Sequence, residues 1–228
     1  NTIDFPSLNI FLGLDGKEII MTAIVYRFYT DEMLWTLQCI GIENEVIVVD
    51  ESNQEFFELS ILTVNDLHGY ITQDEYGRNG FSNMSYLINQ IRDSSLLDNV
   101  ILMGNGDMFQ GTGISNITQG RAVLEVMNMI GFDAMGVGNH EFDWGIEVIL
   151  DYFDGDPSNG EADFPLLNAN IFLVSDSSLL GIMHGNVFEY TIVEREGVLV
   201  GIISYIGDVY SSIAYNQVKD YYFDLNIR

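Results

Sequence analysis

Cysteine occurs once in the 228-residue chain, as Cys39. A single thiol excludes an internal disulfide framework and a thiolate zinc cluster. Its setting in "WTLQCI" reads as a strand, where a lone cysteine acts as a small core residue. Basic side chains are scarce too: 8 Lys and Arg stand against 34 Asp and Glu, a formal charge of −26. Nucleic-acid affinity comes mainly from Lys and Arg neutralising backbone phosphates, so this balance excludes DNA, RNA and anionic membrane surfaces as partners. No apolar stretch approaches the roughly 20 residues of a membrane span. The longest runs, around 19–25 and 45–49, are strand-sized. No basic start leads into an apolar run, so no signal peptide is expected. The chain opens on Asn1 rather than Met, which suggests a processed protein or a piece cut from a longer one.

What is present can fill a core: 47% of the residues are hydrophobic and 12% aromatic. The length suits one large domain, or one domain with part of another. Residues 1–57 and 58–228 differ in pattern. The first part holds three β-rich runs, "EIIMTAIVYRFY", "EMLWTLQCI" and "EVIVVDE", separated by short polar turns, and reads as a small β-rich module or the tail of a β-sandwich. The aromatics of "YRFYTDEMLW" read as strand packing, and "DESNQ" (50–54) as a linker.

From residue 58 the pattern becomes strand, loop, helix, repeated. "ELSILTV", "NVILMG" and "FDAMGVG" read as buried strands. Between them, "FSNMSYLINQIRD" carries Phe81, Met84, Leu87, Ile88 and Ile91 at helical spacing. A second helix is expected over 118–131, with Ala122, Val123, Val126, Met127 and Ile130 on one face and Gly131 as its stop. "IEVILDYF" reads as a third helix. The later runs 165–172, 187–196 and 198–207 are strand-like. Such alternation predicts an α/β fold with a sheet that is parallel at first.

In an open α/β sheet, ligands bind beyond the carboxyl ends of the strands. Three successive strands here end in loops carrying Asp66 and His68, then Asp107, then Asn139, His140 and Asp143. Parallel strands would gather these groups at one edge. Carboxylate, imidazole and amide without thiolate suit Mn²⁺, Mg²⁺, Fe or Zn²⁺. A shared carboxylate such as Asp107 could bridge two ions about 3.5–4 Å apart, a geometry suited to displacement at phosphorus.

Other motifs carry less. "GNGDMFQGTG" has no Lys-Ser/Thr pair, which argues against a phosphate-cradling P-loop, and "GVGNH" lacks the third glycine of a dinucleotide fingerprint. "NHEFD" also reads as a capped helix start in which Glu141 and Asp143 favour the helix dipole. The start Asp154-x-Asp156-x-Ser158 mimics a calcium loop, but Pro157 and a misplaced glycine make it a solvated acidic loop. His184 reads as an exposed loop histidine.

In order and spacing, "ILTVNDLHG", "GNGDMFQGTGISN", "GFDAMGVGNHEFDWG" and "FPLLNANI" resemble the calcineurin-like metallophosphatase domain of the 5′-nucleotidase family, over about residues 58–207. The resemblance implies a metallophosphatase-type α/β sandwich, incomplete here, and a dinuclear site. Asp66 and His68 would hold one metal, Asp107 would bridge both, and Asn139 would hold the second while touching phosphate. His140 would contact the phosphate and either stabilise the pentacovalent phosphorus or protonate the leaving oxygen, and Asp143 would orient its imidazole. The implied nucleophile is a metal-activated water, and two divalent cations (Mn, Zn, Mg or Fe) would offset the acidic chain at the site.

The same resemblance exposes gaps. The family uses further histidines in later motifs, whereas this chain has three histidines in all. A C-terminal domain that grips the nucleoside is also missing. The expected whole protein is therefore longer. Its expected reaction is hydrolysis of a nucleoside 5′-monophosphate in nucleotide catabolism, with UDP-sugars or 2′,3′-cyclic nucleotides as alternative substrates. The resemblance implies a secreted or surface-bound protein, of a bacterial exported kind. The rival of another class is a surface or binding module that keeps the fold without the chemistry. The intact set of Asp66, His68, Asp107, Asn139, His140 and Asp143 argues against it.

Overall fold

The computed structural model describes residues 59–226 apart from 74–79, 95–98 and 183, and the backbone of five strands ahead of them. Those five are β1 (Ser7–Leu14), β2 (Lys17–Thr22), β3 (Ile40–Ile42), β4 (Val48–Val49) and β5 (Phe56–Phe57). Cys39, the run "YRFYTDEMLW" and the expected linker at 50–54 lie outside the described residues.

Next come β6 (Ser60–Val64), α1 (Phe81–Ser94), β7 (Val100–Asn105), α2 (Gly113–Thr118), α3 (Arg121–Ile130), β8 (Ala134–Gly136) and α4 (Ile146–Leu150). The remainder is β9 (Leu166–Leu167), β10 (Ile171–Leu173), β11 (Val187–Phe188), β12 (Tyr190–Arg195), β13 (Val198–Tyr205), α5 (Tyr215–Val218) and β14 (Tyr221–Phe223).

β6, β7, β8, β9 and β11 run parallel in one sheet, and β3 closes its edge antiparallel to β6. A second, antiparallel sheet has the order β12-β13-β1-β2. Backbone pairing thus crosses residue 57 twice, at β1 with β13 and at β3 with β6. β1 was not expected from the sequence.

Alternation along the strands builds the layers. Leu62, Val64, Leu102 and Met135 point into a core shared with Phe81, Met84 and Ile88 of α1 and Val123, Leu124 and Met127 of α3. Their neighbours Ile61, Ile101, Met103 and Ala134 face a second core, which Val198, Val200 and Ile202 of β13 close from the other sheet. Each such fully buried aliphatic side chain contributes about 1.5–3 kcal/mol. The result is the expected α/β sandwich. The two sheets are tied at the start of the strands, where Arg195 donates to the Val100 carbonyl at 2.9 Å and pairs with Asp133.

Three expectations need correction. The helix expected over 118–131 is α3, which starts only at Arg121 and ends at Gly131 as expected. An unexpected helix, α2, precedes it, and the two are separated where Gln119 (φ 50°) and Gly120 (φ 95°) turn left-handed. A Cβ at Gly120 would sit 3.0 Å from the Phe109 side chain, so the break lets the chain pass a buried ring. The buried face of α3 includes Leu124, while Ala122 and Val126 are only partly covered. The run 165–172 is two short strands in different sheets. Asn168 splits it by accepting the amides of Asn170 and Ile171 at 3.3 and 2.9 Å.

Candidate metal centre

Each loop leaving β6, β7 and β8 starts from a buried strand end, so its polar groups emerge at one rim. The β6 and β7 loops run together. Asp66 N donates to Gly106 O at 3.3 Å, His68 N to Asp107 O at 3.0 Å and Gly69 N to Met108 O at 3.0 Å. Asp66 (φ 49°), His68 (φ 49°) and Asp107 (φ 55°) all occupy the left-handed region, which non-glycine residues rarely adopt. Such backbone persists only where surroundings enforce it, and it concentrates at functional sites.

His68, Asp107 and His140 offer ligand atoms that all lie within 4.8 Å of one another. The two imidazoles meet edge to face, centroids 4.8 Å apart. His68 Nδ1 is 3.0 Å from the Gln110 carbonyl, which can only accept, so Nδ1 carries the hydrogen and Nε2 presents its lone pair. His140 Nδ1 likewise donates to Asp143 Oδ2 at 2.9 Å. Asn139 opens the tight turn His140–Phe142, and the His140 amide donates to Asp107 Oδ1 at 2.9 Å. Asp66 does not join the 4.8 Å group, although its charge acts on Asp107.

The electrostatics of this rim favour a cation. Burial pushes the Asp107 carboxyl above its usual range, and the Asp66 charge adds to this. The His140 amide and the two imidazoles pull the other way. For His140, burial opposes protonation, yet the Asp143 hydrogen bond and the charges of Asp107, Asp143 and Glu141 hold the imidazole above its ordinary value.

Glu141 is where the sequence misled. It lies at the start of the His140–Phe142 turn as expected, but it is fully buried and its carboxylate accepts three backbone amides. Burial, then the Asp107 charge, pushes its pKa up to about 7, and the three amides pull it back. No spacing in the sequence signals a carboxylate bound to amides 33 and 34 residues away. His184, expected to be exposed, is half-buried with a sealed Nδ1, and it does not join the metal-ligand group. In the acidic loop, Asp154, Asp156 and Glu161 accept amides of their own loop.

Residues 59–212 match the calcineurin-like phosphoesterase family. The chain belongs to that family. Among the relatives of this chain, a snake venom 5′-nucleotidase of Gloydius brevicauda is 36% identical over 160 residues, covering 65% of this chain and 25% of the relative. A 5′-nucleotidase of Bos taurus is 33% identical over 159 residues, covering 65% and 26%. The solved NAD nucleotidase of Haemophilus influenzae superimposes with a TM-score of 0.53 at 27% identity, over 74% of this chain and 30% of that one. The chain thus spans about a quarter of the length of these curated relatives. Metallophosphoesterases use divalent metals, and the groups here fit one: the His68 imidazole and the Asp107 carboxylate offer ligand atoms, with the His140 imidazole beside them. Among the described residues no helix is long and apolar enough to cross a membrane.

Proposed function

We propose that the whole protein is a metal-dependent phosphoesterase that hydrolyses nucleoside 5′-monophosphates. The observation that carries this reading is the convergence of His68, Asp107 and His140 within 4.8 Å at the ends of three adjacent parallel strands. The 5′-nucleotidase relatives support the substrate class.

In this reading Asp66, His68, Asp107 and Asn139 would hold the divalent ions. Bound ions supply Lewis-acid polarisation of the phosphoryl group and make a water acidic enough to attack. Asn139 and His140 bind the phosphate. Asp143 orients the His140 ring through Nδ1 and favours its protonated form, so that Nε2 is the nitrogen that would deliver a proton to the leaving oxygen. A phosphate dianion entering a chain of charge −26 needs such local cations.

We also propose that the remaining substrate contacts lie in a further C-terminal part, supported by the short span relative to its relatives. A venom nucleotidase among them supports an exported protein. The division between 1–57 and 58–228 is kept as a proposal from sequence pattern, although strands pair across it.

The test is metal content and Mn²⁺-dependent phosphate release by the whole protein from AMP, UDP-glucose and 2′,3′-cyclic AMP, with Asp107→Asn as control. Preference for AMP, lost in the control, is expected. Preference for either other substrate reassigns it within the family. No bound metal and no turnover would leave the binding-module reading.

A further inference from the structure

We infer that Glu141 is a positioning residue that clamps the Asp107 loop, and through it the loop of Asp66 and His68, in the arrangement that offers their side chains to a metal. This rests on the metal-site reading above.

The Glu141 side chain is wholly buried, and its two oxygens engage two different strand-end loops. Oε2 accepts from Asp107 N at 2.8 Å and from Gly138 N at 2.7 Å, while Oε1 accepts from Met108 N at 2.9 Å. Consecutive amides at 107 and 108 converge on one carboxylate because Asp107 is left-handed, at φ 55°. Two adjacent N–H groups turned to one side form an anion-binding concavity, and here Glu141 fills it.

The grip extends further. The carbonyls of Gly106 and Asp107, in the same peptide units as the Asp107 and Met108 amides, accept the amides of Asp66 and His68 at 3.3 and 3.0 Å. The peptides that Glu141 holds by their N–H groups thus hold the β6 loop by their C=O groups. Meanwhile the Asp107 carboxylate turns toward the His140 amide and into the ligand cluster. All three rim loops are therefore linked through one side chain that touches no proposed substrate or metal.

The clamp also needs close packing. A Cβ at Gly138 would fall 2.5 Å from the Asp107 nitrogen and 2.8 Å from Glu141 Oε2. A Cβ at Gly106 would fall 2.7 Å from the Gly138 Cα. The chemistry requires a carboxylate, since all three partners are donors. A glutamine of equal size would aim its own N–H₂ at one of them.

The experiment compares Mn²⁺ affinity by calorimetry, the electron paramagnetic resonance spectrum of bound Mn²⁺, and metal-free thermal unfolding. It uses the whole protein as wild type, Glu141→Gln, Glu141→Ala and Asp133→Asn. Asp133 is the control because it also is a partly buried carboxylate accepting a strand amide, from Leu102 at 2.9 Å, but at the opposite end of the sheet. Glu141→Gln is expected to weaken Mn²⁺ binding about 10–100-fold, the usual effect of losing a partner that orients a ligand, and to change the spectrum. Asp133→Asn is expected to lower the unfolding temperature and leave Mn²⁺ affinity alone. If Glu141→Ala does not fold, the isosteric Glu141→Gln decides. Wild-type Mn²⁺ affinity in Glu141→Gln, or an equal loss in Asp133→Asn, overturns the inference while the metal-site reading stands. A wild-type protein that binds no Mn²⁺ overturns both.

Discussion

His140 Nδ1 and Asp143 Oδ2 are 2.9 Å apart, one turn from each other in the loop that follows β8. The bond leaves Nε2 as the ring nitrogen free for other chemistry and raises the affinity of the ring for a proton. In metal-free protein, His140 should therefore titrate above the ordinary value of about 6.5. Asp143→Asn should bring the midpoint down, read from the imidazole signals in an NMR titration. The sign for stability follows. A raised folded-state pKa stabilises fully below the unfolded value and loses that contribution as pH rises through the folded one. An unchanged His140 midpoint in Asp143→Asn would count against this account.

Asp107 lies between two imidazoles and receives the His140 amide. Asp107→Asn keeps the size and removes the charge. Mn²⁺ affinity should fall by at least about 10–100-fold, and AMP hydrolysis by the whole protein should fall with it. Retained metal binding with lost turnover would instead mark Asp107 as acting on substrate.

Gly120 separates α2 from α3 at φ 95°, with the Phe109 side chain 3.0 Å from where a Cβ would stand. Gly120→Ala should cost about 1–3 kcal/mol in urea unfolding, because it pays both backbone strain and a clash with a buried ring. A neutral change would mean the break between the helices is relaxed.

With three histidines in 228 residues, the chain holds few of the ligands that two ions need. Purified alone, it should bind at most one Mn²⁺ weakly and release phosphate from AMP near background, whereas the longer protein should turn over. Two bound ions and Asp107-dependent turnover in the 228-residue chain would show that its own groups complete the site.

Local pattern carried most of what the sequence could determine. Apolar strand runs in 60–64 and 100–105 that are buried on both faces, helical spacing in 81–91, and a polar loop after each strand all act over a few residues. Right-handed parallel connections then leave the loops little choice but one rim. Hence an α/β fold with a parallel sheet could be read from the sequence and the polar residues of those loops could be named, while the sandwich itself was implied by the family resemblance. Tertiary structure decided what rests on contacts between distant parts of the chain. Leu124 faces the core while Ala122 is only partly covered, because packing against the sheet selects which side of α3 is buried. Asn168 cuts one expected strand into two by accepting the Ile171 amide locally, while its N–H₂ donates to the Leu180 carbonyl of a later loop. Glu141 reads in the sequence as an acid at a capped helix start and is in the fold a buried acceptor, because two of its three partners are amides 33 and 34 residues back. A periodicity is written in neighbours, but a hydrogen bond across that separation exists only once the sheet has brought its two loops together.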